Sequence, residues 1–99
     1  MTDLKEYVTD IWEELDGASR YAGLAMTHRE NSSKAGMLKE MASDEIRHAE
    51  NFMRLFSEQI EECKRHYPEE VAYYDAIHKW ESEKVHHKIQ HLRMALNSV

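Results

Sequence analysis

The sequence predicts an all-α protein of three long helices, the first two forming an antiparallel hairpin and the third packed beside them. The 99 residues include one Pro and three Gly, so few breakers interrupt the chain. Apolar residues recur at three- and four-residue intervals over long stretches. Turn chemistry is confined to Glu30-Asn-Ser-Ser33 and to Tyr67-Pro68. A hydrophobic fraction of 41% suffices for one domain over 1–99. A chain this short buries only about two-thirds of its extended surface, so association with further copies is expected.

The first helix is expected over about 3–29. Asp3 is its candidate N-cap, with Glu6 as the capping-box partner. Leu4, Val8, Leu15, Ala22 and Met26 supply apolar contacts beside a stripe of Tyr7, Ile11, Glu14, Ala18, Tyr21 and Ala25. The second helix is expected over about 33–66. It carries one stripe of Leu38, Met41, Glu45, His48, Phe52 and Leu55, and another of Ala42, Ile46, Ala49, Met53, Phe56 and Ile60. A helix apolar on two faces is expected to pack against more than one neighbour. Lys64, Arg65 and His66 suit its C-terminal dipole.

The third helix is expected over about 68–97, opening on Pro68, a favoured first-turn residue. Its apolar face reads Val71, Tyr74, Ile77, Val85, Ile89, Leu92 and Leu96. The six Met are expected as core filler and Cys63 as a small core residue.

A net charge of −6 argues against nucleic acid or an anionic membrane surface as partner, and suits a protein that attracts cations. No apolar run reaches 18 residues, so no membrane span is expected. The lone cysteine excludes an intrachain disulfide and fits a reducing, cytoplasmic setting.

Two of the stripes are broken by metal-ligand residue types: Glu14 in the first helix, Glu45 and His48 in the second. Their spacing is that of a face turned toward a core, where an unpaired carboxylate costs several kcal/mol. A bound cation relieves that cost most directly. Glu-x-x-His sets two side chains about one turn apart on one face. Reflecting the chain about the 31–33 turn brings Glu14 level with about residue 49, within a turn of His48. The three residues then face each other and form half of a di-metal carboxylate site, the second half coming from a two-fold partner. The alternative is a hydrogen-bonded polar network in a non-enzymatic helical assembly module, with a structural metal or none.

At these residues the chain resembles the ferritin-like superfamily, in its rubrerythrin-type branch and the short half-bundle relatives such as encapsulated ferritins. The resemblance rests on Glu14-Leu-Asp-Gly-Ala-Ser-Arg-Tyr21, on Ala22-Gly-Leu-Ala25, and on Asp44-Glu45-Ile-Arg-His48-Ala49-Glu50. It covers about residues 3–60. It implies a four-helix bundle completed by dimerisation or higher homo-oligomerisation, holding two iron ions on Glu14, Glu45 and His48. Zinc or manganese are the other metals to consider. Tyr21, seven residues after Glu14, would stand beside the metal site and bond a ligand carboxylate; ordinary core packing is its competing role. The implied activity is Fe(II) oxidation by O₂ or peroxide, for iron handling or protection against oxidative stress. The fourth helix of the full-length pattern and its Cys-x-x-Cys pairs are missing, so the peroxidase activity that depends on such a module is not implied.

The third helix offers secondary candidates. Glu81 interrupts its apolar face, with His78 one turn earlier; an interface ion pair is the competing role. Glu83, His86, His87 and His91 read as a solvated face, with adventitious zinc or nickel binding as the alternative. Trp12 and Trp80 read as packing or dimer-interface aromatics.

Overall fold

The computed structural model describes residues 2–99, the side chain of Thr2 excepted. Helix α1 spans Thr2–Thr27, α2 spans Ser32–His66, and α3 spans Val71–Asn97 after a one-turn 3₁₀ helix at Pro68–Glu70. The described residues contain no strand. Helices of 26, 35 and 27 residues give a rod of 56 × 18 × 13 Å. Its radius of gyration, 16.1 Å, exceeds the roughly 13 Å of a rounder chain of this length.

The helix ends shift by a few residues from the sequence expectation, for local reasons. Asp3 lies inside the first turn of α1 rather than capping it, where its carboxylate still meets the positive end of the dipole. α1 stops at Thr27, and the Asn31 N–H bonds the His28 carbonyl at 2.9 Å to close the turn. Asn31 caps α2: its side-chain oxygen accepts the Lys34 N–H at 3.1 Å, so α2 begins at Ser32. Tyr67 takes φ −129°, ψ 67°, breaking α2 from α3 as a residue before proline does. Pro68 starts a 3₁₀ turn, and regular α geometry resumes only at Val71.

The core forms where the three helices meet. α1 contributes Ile11, Leu15, Ala18 and Ala22; α2 contributes Ala42, Ile46, Ala49, Phe56, Ile60 and Cys63. Alanines let the α1 and α2 backbones approach, while Phe56 and the isoleucines fill the wider end toward α3. α3 adds Tyr74, Val85, Ile89, Leu92 and Leu96. Each fully buried Ile or Leu contributes about 1.5–3 kcal/mol. Burial raises the Tyr74 phenol above its ordinary pKa.

Three polar contacts set α3 antiparallel to α2. Lys64 meets Asp75 at 2.8 Å, Ser57 meets His78 at 2.8 Å, and Glu50 meets Arg93 at 3.2 Å. Residue numbers fall along α2 as they rise along α3. Hydrogen bonds to Asp75 and Glu61 hold the Lys64 ammonium above its usual pKa.

Two expectations about the core are corrected. Among the described residues no charged or polar residue is buried, so the Glu45/His48 stripe of α2 is not a core face. α3 packs on the flank carrying Glu50, Ser57 and Lys64, and the Glu45/His48 stripe turns to the other side of the hairpin. Nor are most of the described methionines core filler: Met37, Met41 and Met94 are exposed and Met26 is half-buried, while Met53 alone packs against the core. Small alanines close the interhelical space that long thioethers would otherwise fill. Among the described residues, no helix is long and apolar enough to cross a membrane.

Candidate metal centre

Glu14 occupies the middle of α1, and Glu45 and His48 sit one turn apart on α2. The tight, alanine-lined α1–α2 contact brings them together. One ligand atom from each lies within 4.8 Å of the other two. His48 Nδ1 is 3.5 Å from Glu14 Oε2 and 3.9 Å from Glu45 Oε1. The Glu14 and Glu45 side chains are 24% and 26% exposed, and that of His48 is 46% exposed. The cluster is thus a shallow, open site at the hairpin seam. The expected burial cost is largely absent, because solvent reaches all three groups.

The cluster does carry electrostatic stress. A hydrogen bond with Glu14 raises the Glu45 carboxyl above the ordinary glutamate pKa. Partial desolvation and the charges of Glu14 and Asp44 raise it further, while His48 pulls the other way. Two carboxylates facing each other with one imidazole are a donor set that a divalent cation would satisfy.

One residue that the sequence reading passed over shapes this site. A Cβ at Gly17 would lie 3.1 Å from Glu45 Oε2, tighter than ordinary van der Waals contact. Gly17 stands one turn beyond Glu14, and its bare backbone is what lets the Glu45 carboxylate settle against α1. The signal was present: a mid-helix glycine costs about 1 kcal/mol against alanine and calls for a packing reason.

The remaining candidates lie elsewhere. Tyr21 is half-buried two turns along α1 from Glu14, packed against the core, with the Arg20 guanidinium 5.9 Å from its ring centre. His78 hydrogen-bonds Ser57 and packs near the Phe56 ring, 6.1 Å between centroids. Glu81 bonds Lys84 at 3.2 Å, and its other carboxylate oxygen is buried against the α1–α3 groove formed by Leu4, Val8 and Ile77. The structure therefore does not bring His78 or Glu81 to Glu14, Glu45 and His48. Among the described residues, that trio is the one group of three or more His, Cys, Asp or Glu close enough to hold an ion together.

Fold and site together define a class: an all-α hairpin with a third helix on one side and a carboxylate–imidazole cluster on the other. Compared with protein-family models, with curated proteins and with solved structures, the chain finds no match.

Proposed function

We propose that this chain is one half of a non-haem di-iron carboxylate protein of ferritin-like type, taking Fe(II) as substrate. Two copies meet through the Glu14/Glu45/His48 face, pair their hairpins into a four-helix bundle, and pool six ligands in the cytoplasm. The single observation that carries the reading is the convergence of Glu14, Glu45 and His48 from two helices within 4.8 Å. Three ligands per chain are half of what two metal ions need.

The residues suit the ion. The donor set is two carboxylates and an imidazole, the Glu45 carboxyl is driven toward protonation by its neighbour, and Gly17 leaves space beside it. The flanks suit a partner: Leu24, Met41 and Leu55 are exposed apolar residues on this side of the hairpin. A two-fold partner would cover them and exclude water from the site.

In this arrangement Glu14, Glu45 and His48 would hold the ions, with Glu45 or Glu14 shared between the two and His48 on one of them. The raised pKa of Glu45 makes ion uptake compete with its protonation, so Fe(II) uptake would weaken, and would liberate protons, as pH falls toward the glutamate range. Two Fe(II) taken as substrate would each give up one electron, and with two protons from solvent these would reduce O₂ to hydrogen peroxide, or hydrogen peroxide to two waters.

Anaerobic Fe(II) titration of chelator-stripped protein, read together with native mass, tests the proposal. The expected result is about one iron per chain in an even-numbered oligomer, oxidised when oxygen is admitted. A monomer that takes up no iron, or full iron uptake by Glu45→Ala, overturns it.

The openness of the cluster favours a second reading, an assembly module whose polar residues set helix register without metal. Solvent-exposed charges need no cation to be tolerated. In that case chelators leave thermal stability unchanged.

A further inference from the structure

α3 carries a second metal-ligand arrangement, distinct from the one at the hairpin seam. His87 and His91 are one turn apart, both exposed, with ring centroids 5.5 Å apart and planes inclined by 28°. Residues at i and i+4 on a helix share a face, so the two imidazoles project side by side into solvent. Metal–nitrogen bonds of about 2.0–2.1 Å are within reach of one nitrogen from each ring once the side chains rotate about their own bonds. The rings stand stacked, so binding requires them to turn until one nitrogen of each faces the ion, while the helix fixes the one-turn spacing of the two residues.

The surroundings leave the pair accessible. Glu83 stands one turn before His87 on the same face and adds negative potential. Lys84, one turn before His87, is drawn to Glu81 at 3.2 Å and over the Trp80 ring at 5.1 Å. The chain as a whole carries a charge of −6, which favours cation approach.

We propose that His87 and His91 form a bidentate binding site for a first-row transition-metal dication, with Cu(II) bound most tightly. Imidazole nitrogens suit copper, nickel and zinc rather than calcium or magnesium, and divalent affinity peaks at Cu(II). Water fills the other coordination positions. The site is independent of the Glu14 cluster, whose carboxylates suit harder ions. It needs no second copy of the chain.

Chelator-stripped full-length protein carrying Glu45→Ala, which disables the seam cluster, is titrated with CuSO₄ and separately with ZnCl₂ by calorimetry. Cu(II) binding is also followed by electron paramagnetic resonance. The expected result is one Cu(II) per chain with nitrogen hyperfine structure, and weaker Zn(II) binding. Adding either His87→Ala or His91→Ala should lower Cu(II) affinity about tenfold or more. Adding His86→Ala, next in sequence but off this face, should leave it unchanged. Circular dichroism checks that each variant stays helical. Equal losses from His86→Ala and His87→Ala would mean scattered surface histidines and overturn the site, as would binding unchanged in His91→Ala.

Discussion

Glu14 Oε2 and His48 Nδ1 stand 3.5 Å apart although they come from different helices. Because each helix is rigid over this length, the contact is a measure of hairpin register: a slip of one residue moves one side chain by about 1.5 Å along the axis and about 100° around it. The expected outcome of Glu14→Ala or His48→Ala is a fall in Fe(II) affinity of about tenfold or more with little loss of stability, since both groups are partly solvated. Calorimetric titration paired with urea unfolding measures the two effects separately.

Gly17 separates stability from binding. Alanine in an exposed helix interior stabilises by about 0.5–1 kcal/mol relative to glycine. At Gly17 the added methyl meets Glu45 Oε2 at 3.1 Å, so the carboxylate must move. Gly17→Ala should bring a small or no gain in stability and a clear loss of metal affinity. Gly23→Ala, where a Cβ meets nothing within 4 Å, should bring the full gain and leave metal binding intact. If the two variants bind metal equally, Gly17 does not shape the site.

The raised pKa of Glu45 predicts how metal-free stability depends on pH. Its pKa is raised in the folded chain, so the native state binds more protons than the unfolded state just above the ordinary glutamate range. This contribution to metal-free stability is therefore present at low pH and lost as pH rises through the raised value. Glu45→Gln should abolish that fall and be more stable than the parent at neutral pH without metal. Denaturation midpoints across pH 4–8, compared between the two proteins, isolate this contribution from those of the other carboxylates. A parallel pair of curves would refute the raised-pKa account.

Metal loading should reverse the penalty. A cation would offset the repulsion between the Glu14 and Glu45 carboxylates, and a ligand that binds only the native state at 100 times its dissociation constant stabilises by about 2.7 kcal/mol. Thermal melts should therefore rise with Fe(II) under anaerobic conditions and fall back on chelation. An unchanged melt would favour the metal-free assembly reading.

Phe56 joins the hairpin to α3. It is fully buried, and its ring lies 6.1 Å from that of His78. Phe56→Ala should cost about 3–5 kcal/mol, enough to unfold a marginal domain of this size. Phe56→Leu is the milder probe, expected to lower the urea midpoint while leaving the helical spectrum native. Ser57→Ala, which removes the 2.8 Å bond to His78, should cost about 1 kcal/mol.

The sequence by itself determined the helices, the hairpin and the breaks. Periodicity, the 31–33 turn and Tyr67-Pro68 are local signals, and they placed α1, α2 and α3 to within a few residues. The level pairing of Glu14 with Glu45 and His48 was also legible, because rigid helices joined by a short turn leave few registers. Only the tertiary structure decided which apolar stripe of α2 became core. Both stripes have helical spacing, and the choice lay with α3, which packs along Glu50, Ser57 and Lys64. That choice leaves Glu45 and His48 half-exposed, and it turns a supposed buried charge into an open seam. The same packing decided that Gly17, unremarked in the sequence, makes room for Glu45, because a missing methyl matters only once the neighbour that fills its place is known.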